Sequence, residues 1–220
     1  MRIAAKLTEL DTNISDTASR ANRNVEEIKL IAVTKHAEAE QIIEAIDAGI
    51  KIIGENRVQE AIDKYSDLPN VEKHFLGNLQ SNKVAKAVRF FDAIQSIDSI
   101  GLAQAIDKEC KKINKIMPIF VEINIGKEES KHGIMPEETL DFCNKITKLI
   151  NLRLVGLMCI APFFDDKNIE KVRPYFKMMK ELKEKTGLQL LSMGMSNDFE
   201  IAIEEGSDMI RIGRLLFQKD

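Results

Sequence analysis

Two segments late in the chain, Ser192-Met193-Gly194-Met195-Ser196-Asn197 and Arg211-Ile212-Gly213-Arg214, combine small residues with hydrogen-bond donors, and an early one, Ile31-Ala32-Val33-Thr34-Lys35, ends in a primary amine. Small residues let backbone approach an anion, Ser196 adds a hydroxyl donor, and the first segment runs into a helical stretch whose N-terminal N–H groups suit a phosphate. A lysine desolvated near another cation gives up its proton more readily and can form a Schiff base, and Arg211 is a candidate neighbour for Lys35. Together these groups would suit a phosphorylated aldehyde. Each also has a plainer reading. Gly and Ser ahead of a helix make an ordinary cap, and a lysine at a strand end extends its amine to solvent. From position alone, both readings of Lys35 stand open.

These segments can act together only if the fold joins them. Short β-branched runs alternate with stretches of helical periodicity, which points to parallel βαβ units. Residues 1–20 read as an amphipathic helix with Ile3, Leu7, Leu10 and Ile14 on one face. Strands are expected over residues 28–34, 51–53, 73–76, 93–96, 119–125, 152–159, 188–192 and 209–212. Helices are expected around Ile42 to Ile46, Arg57 to Tyr65, Leu102 to Ile113, after Pro136, from Ile169 to Lys185 and around Phe199 to Glu204, with Gly49 and Gly187 as stops. Eight strands close a barrel, whereas an open doubly wound sheet of this length has fewer. The expected fold is therefore α/β: a single (β/α)8 TIM barrel domain over residues 1–220 with an extra N-terminal helix. The chain stops about eight residues after the last strand, so the final helix is short or missing, and the N-terminal helix is the candidate to cover that gap. Barrel sites lie at the C-terminal ends of strands, with phosphate gripped after strands seven and eight. Closure sets strand one beside strand eight, and a period of two puts Lys35 on the face of Ile31 and Val33.

Composition removes other classes. A net charge of −3 with mixed signs gives no basic stripe for a nucleic acid. The N-terminus lacks the apolar core of a signal peptide, and no apolar run reaches membrane-spanning length, so no membrane association is expected and the cytoplasm is the default compartment. Cys110, Cys143 and Cys159 are odd in number and widely spaced, which argues against disulfides and zinc, and they read as small buried apolar residues. No metal site is expected.

Other acid–base groups fall near the expected mouth. His36 should face the helices by alternation, His74 either lines the pocket or bonds structurally, and His132 sits in a loop beside Lys131. Lys83 and Lys131 read as solvated charge, or as amines that receive a second aldehyde during transfer. Tyr65 and Tyr175, the only tyrosines, fall in helical segments outside the barrel.

The chain resembles the pyridoxal-phosphate homeostasis protein family, known in bacteria as the YggS family, through nearly its whole length. The resemblance rests on Ala32-Val33-Thr34-Lys35, Ile53-Gly54-Glu55-Asn56-Arg57-Val58-Gln59-Glu60, His74-Phe75-Leu76-Gly77-Asn78-Leu79-Gln80-Ser81-Asn82-Lys83, Ser130-Lys131-His132-Gly133-Ile134, Gly156-Leu157-Met158, Leu191-Ser192-Met193-Gly194-Met195-Ser196 and Ile210-Arg211-Ile212-Gly213. It implies a fold like the barrel domain of alanine racemase and fold-type III decarboxylases, with pyridoxal 5′-phosphate held as an internal aldimine on Lys35. By matching position, Arg211 faces the pyridine nitrogen, Ser196 and the backbone around Gly213 hold the phosphate, and Asn56 lines the pocket. Two positions depart from the family pattern: Arg214 stands where members often have Thr, and Ala37 stands where they commonly have a second lysine.

The family binds and supplies this cofactor without an established reaction, and the expectation here is the same: a non-enzymatic carrier with no catalytic residue. An arginine at the pyridine nitrogen blunts the ring as an electron sink, and no residues remain to build the second domain that gives racemases their tyrosine and their dimer. The alternative is a racemase or lyase of fold-type III. A Schiff-base aldolase-like barrel lacks its lysine, since strand six ends in Met158-Cys159. Expected partners are pyridoxal phosphate and, transiently, apoenzymes that depend on it, and the expected state is a monomer.

Overall fold

The computed structural model describes residues 2–65 and 68–218. Residue 1, where the expected N-terminal helix begins, lies outside them. In chain order the elements are α1 (Ile3–Arg20), β1 (Lys29–Val33), α2 (Ala39–Asp47), β2 (Ile52–Glu55), α3 (Val58–Tyr65), β3 (Glu72–Phe75), α4 (Val84–Phe90), β4 (Ala93–Ile97), α5 (Ile100–Lys112), β5 (Met117–Ile123), α6 (Thr139–Ile146), β6 (Leu152–Cys159), α7 (Arg173–Thr186), β7 (Leu190–Ser192), α8 (Phe199–Glu204), β8 (Met209–Ile212) and α9 (Arg214–Phe217). The strands pair in sequence order into a closed parallel barrel, with β8 returning to β1 so that Ile31 lies opposite Arg211.

The eight strands fall where alternation expected them, and β6 and β8 keep their expected bounds. The strand expected over 188–192 shrinks to the three residues of β7, because Gly187 ends α7 in the left-handed region at φ 68° and the chain pairs only from Leu190. α4 was not read from the sequence. It is seven residues long, with Val84, Ala87 and Val88 as its buried stripe, too short for a clear helical period.

Alternation along the strands divides the apolar residues into two layers. Ile31, Ile52, Leu76, Phe120, Met158 and Met209 pack inside the barrel, while their odd-numbered or even-numbered neighbours, such as Ala32, Ile53, Val121, Leu157 and Ile210, pack outward against the helices. This is the side-chain filling that makes a barrel a core and not a pore. The outer layer would be open between β8 and β1, since α9 has only four residues. α1 closes that seam: it lies against α8, α2 and α9 with Ile3, Leu7, Leu10 and Ile14 buried. Its ends are tied down by Ile3 N–H donating to Glu44 Oε1 at 3.0 Å and by Arg23 Nη1 donating to the Ile203 carbonyl at 3.1 Å.

Leu10, 3% exposed, is the fully buried leucine at the middle of that closure. Leu10→Ala is expected to cost about 2–4 kcal/mol and to lower the melting temperature by roughly 5–15 °C. The exposed neighbour Glu9 replaced by Ala should change stability by no more than about 0.5 kcal/mol. Equal melting curves for the two variants would show that α1 is not part of the core.

Candidate functional site

A cavity of about 960 Å³ opens at the C-terminal ends of the strands, where barrels place their chemistry. Lys35, Asn56, Ser196, Arg211 and Gly213 all line it. Each is delivered by a strand end: Lys35 two residues past β1, Asn56 one past β2, Ser196 in the turn after β7, Arg211 within β8 and Gly213 one past it.

The Lys35 turn is pinned from behind. Outward-facing Thr34 and Glu55 are fully buried, and Thr34 Oγ1 donates to Glu55 Oε2 at 3.2 Å while also meeting the Tyr65 hydroxyl. Lys64 Nζ donates to the Thr34 carbonyl at 3.1 Å, the Lys35 carbonyl at 3.4 Å and Glu55 Oε2 at 3.4 Å. The other oxygen of Glu55 accepts from Asn56 N–H at 2.7 Å. One buried carboxylate thus fixes the backbone at both Lys35 and Asn56, and the Lys35 side chain extends into the open part of the cavity. Gly77 completes this wall, because a Cβ there would lie 2.1 Å from the Asn56 carbonyl oxygen. Strand alternation stops at Val33, so the following turn brings His36 onto the cavity as well and not toward the helices as expected.

The neighbouring stretch of rim, after β7 and β8, is donor-rich. The turn from Gly194 to Asp198 is held by Asp198 Oδ1 accepting from Met195 N–H at 2.6 Å. Gly194 adopts φ +92°, with a would-be Cβ only 2.5 Å from Ala202, so the close approach of this turn to α8 requires glycine. α8 has six residues, too few for much of a macrodipole, and the polarity here rests on side chains and local backbone. Arg214 lines the cavity, and its Nη2 donates to Asn197 Oδ1 at 2.7 Å. Ser196, Asn197, Gly213 and Arg214 therefore gather at one end.

Arg211 lies deeper, 5% exposed. Its Nη1 donates to Ser192 Oγ at 2.9 Å and its Nη2 to the Cys159 carbonyl at 2.7 Å. Two of the five N–H donors of a guanidinium are thereby placed, and the side chain keeps donors on the cavity side. Burial lowers its pKa, opposed by the charges of Asp198 and Glu122 and by Cys159, though an arginine remains cationic under any folding condition.

Sequence reasoning missed Glu122. It follows Phe120 on the inward face of β5 and lies beside Met158 of β6. Its carboxyl is 7% exposed, lines the cavity and makes no hydrogen bond among the described residues. Burial pushes its pKa up to about 7, with Asp98 adding to the rise and Arg211 opposing it. Only an isolated acidic residue in a β-branched run, Val121-Glu122-Ile123, signalled it in the sequence. His74 bonds structurally inside the barrel and does not line the cavity. His132 lines the rim, sharing a 3.2 Å hydrogen bond with Asn78. Lys131 also lines it, paired with Glu128 at 2.5 Å, while Lys83 does not. Tyr65 and Tyr175 both lie outside the barrel, the latter stacked on Phe164. All three cysteines are buried and free, and burial raises the Cys159 thiol to about 12. Among the described residues no His, Cys, Asp and Glu cluster could hold a metal, and no helix is long and apolar enough to cross a membrane.

The alanine racemase N-terminal domain family matches residues 6–219. The pyridoxal phosphate homeostasis protein of Aquifex aeolicus is 39% identical over 99% of this chain and 98% of its own length. Among solved structures, PipY of Synechococcus elongatus with pyridoxal phosphate bound is similar with a TM-score of 0.82 and 35% identity, covering 98% of this chain and 99% of that one. Alanine racemase of Clostridium difficile shares the fold alone, with a TM-score of 0.73 at 18% identity, and this chain spans 58% of it.

The raised Glu122 makes a signed pH prediction. Its folded-state pKa of about 7 exceeds the ordinary 4.5, so the folded chain binds the extra proton between those values. The stability this confers is whole below pH 4.5, falls as pH rises, and is gone above about 7. Glu122→Gln keeps a neutral side chain throughout. Its melting temperature relative to the parent should therefore climb from pH 4.5 to 7, by the equivalent of roughly 3 kcal/mol, and level off above. A difference independent of pH across that window would place the Glu122 proton elsewhere.

Proposed function

The chain belongs to the pyridoxal phosphate homeostasis protein family, and from that premise we propose that it binds pyridoxal 5′-phosphate in this cavity, joined covalently to Lys35, and that it buffers or delivers the cofactor without catalysing a reaction on it. The observation that carries the reading is the meeting in one cavity of an amine, a donor-rich rim and a buried guanidinium with donors to spare.

The donor set fits the group part by part. Bound pyridoxal phosphate supplies an aldehyde that condenses with a primary amine, beside an aromatic nitrogen and a phosphate dianion. Lys35 is the amine. Ser196 and the backbone at Gly213 hold the phosphate, and Arg214 adds a charge where a hydroxyl is more usual. Asn56, fixed by Glu55, and the apolar side chains of Val33, Leu76 and Met158 line the walls against which the ring lies. Arg211 donates to the ring nitrogen, and because it does not release its proton the nitrogen stays unprotonated.

An unprotonated nitrogen makes the ring a weaker electron sink, an arrangement alanine racemases share, so the reading rests on the acid–base groups the cavity supplies. Neither tyrosine reaches the cavity to serve as an acid or base. Release to an apoenzyme is served by the position of Lys35 at the open rim. The protein acts as a monomeric barrel domain over residues 1–220 in the cytoplasm.

Purified protein mixed with pyridoxal phosphate should develop a visible absorbance band that Lys35→Ala lacks. Arg214→Ala should keep the band and weaken affinity about tenfold, the loss of one charge-assisted contact to phosphate. L-Alanine incubated with the loaded protein in deuterated water should exchange its α-proton no faster than with the free cofactor. A band that survives Lys35→Ala removes Lys35 from the attachment, and exchange at the rate of a racemase overturns the carrier reading. Size-exclusion chromatography with light scattering should return the mass of one chain.

A further inference from the structure

Beneath the cavity, the barrel interior is not wholly apolar. Ser192, Gln95 and His74 are each 1% exposed or less, and they connect Arg211 to the far end of the barrel. Arg211 Nη1 donates to Ser192 Oγ at 2.9 Å, and Ser192 Oγ donates to Gln95 Oε1 at 2.6 Å. Gln95 Nε2 meets His74 Nδ1 at 2.7 Å, and His74 Nε2 meets Glu72 Oε1 at 2.7 Å. Glu72 opens β3, at the rim opposite the cavity, and its side chain is 49% exposed. The chain therefore runs through the barrel from the buried guanidinium to solvent.

Its direction follows from donor chemistry. Arginine has donors only, so Ser192 Oγ must accept from it and has a single proton left to pass on. That proton fixes the Gln95 oxygen toward Ser192, and hence the Gln95 NH2 toward His74. His74 Nδ1 must then accept, which puts the ring proton on Nε2, pointing at the Glu72 carboxylate. The hydrogen bond from His74 in turn holds the Glu72 pKa below its usual value. A proton on Nδ1 would turn the Gln95 amide round, and Ser192 Oγ would face two donors with no acceptor for its own hydrogen. In a site this dry an unplaced polar hydrogen costs about 1–3 kcal/mol, so the five groups share one arrangement.

We infer that Ser192, Gln95 and His74 are positioning residues for Arg211, a one-way chain of donors anchored on Glu72 that aims the guanidinium at the ligand in the cavity. The inference rests on the proposed cofactor site. It adds that the aim of Arg211 is set by residues that touch neither the cofactor nor the cavity mouth, and it fixes the tautomer of a buried histidine.

Two measurements test it. Ring ¹⁵N chemical shifts of His74 in the unaltered protein, which need no variant and no cofactor, should show the neutral ring with its proton on Nε2. Cofactor titration should show Ser192→Ala binding about tenfold more weakly than the parent, because Arg211 keeps only the Cys159 carbonyl, with His74 losing its single tautomer as Gln95 becomes free to turn. Ser192→Thr, which restores the hydroxyl, should recover both. If Ser192→Ala fails to fold by circular dichroism, Gln95→Leu cuts the same chain one link further on and should give the same weakening. A His74 ring protonated on Nδ1, or full affinity in a folded Ser192→Ala or Gln95→Leu protein, overturns the inference while leaving the cofactor reading intact. No visible band even in the unaltered protein overturns the cofactor reading, and the His74 shifts then still decide the direction of the chain.

Discussion

Arg211 puts a permanent positive charge at the base of the cavity with only 5% of its surface exposed. A buried charge is tolerated only when it is hydrogen-bonded and electrically compensated, and the surroundings of β8 meet both conditions from different strands. Hydrogen bonds come from Ser192 of β7 and from the Cys159 carbonyl at the end of β6. Compensating charge comes from Asp198 after β7 and, once its raised pKa is passed, from Glu122 on β5. None of these groups is near Arg211 in sequence except Ser192 and Asp198. Their convergence depends on the barrel being closed, with β7 and β8 in register and β5 facing them across the interior. An open sheet of the same strands would leave the guanidinium facing a layer of helices.

Closure in turn depends on the seam between β8 and β1, which is also where the candidate site is assembled. Lys35 comes from one side of it, Arg211, Gly213 and Arg214 from the other. A conventional eighth helix would have covered that seam. Here α9 manages one turn, and the N-terminal α1 supplies the missing apolar face. The element farthest in sequence from Arg211 therefore protects the strand pair that carries it. Gly213 sits in this seam: a Cβ there would lie 3.1 Å from the Val33 carbonyl oxygen, so a larger residue would push the two strand ends apart by a few tenths of an ångström.

Which of these features could be read from the sequence follows from the range of the physics. Strand alternation is local, so it located all eight strands and put Lys35 in line with Ile31 and Val33. Combined with the count of eight, it was enough to bring Lys35, Ser196, Arg211 and Gly213 to one end of a barrel before any coordinates. The same rule failed for His36, because it ceases to hold once the strand gives way to a turn after Val33. A short helix was the other loss: α4 has too few residues to show a period, whereas the final helix was expected to be short or missing and α9 has four residues. Glu122 and the Gln95–His74 pair were out of reach for a different reason. Each is a polar residue on the inward face of its strand, and what it does depends on partners on other strands: Arg211 of β8 for Glu122, and Ser192 of β7 together with His74 of β3 for Gln95. His74 was left open between pocket and structure, and only the position of Gln95, one strand over, decides it.

The same dependence on distant partners separates a protein that holds an aldehyde cofactor from one that works on it. Holding needs an amine, an anion grip and a neutral ring nitrogen, and these are local gifts of strand ends and turns. Catalysis needs a group that moves a proton at the right atom in a space closed to water. Glu122, whose carboxyl burial keeps protonated toward neutrality, lies inward on β5, facing the charge of Arg211, and no described residue hydrogen-bonds to its carboxyl to direct that proton, while the cavity's imidazoles, His36 and His132, stand at exposed positions on its rim. Lys35, by contrast, stands at the open rim with its backbone clamped by Glu55 and Lys64 and its side chain exposed. A rigid base under a solvent-reachable amine suits reversible capture of a soluble aldehyde. A buried, undirected acid does not suit turnover. On the proposed reading the fold is arranged to keep the cofactor's ring electronically quiet while leaving its point of attachment accessible, which is the combination a carrier requires.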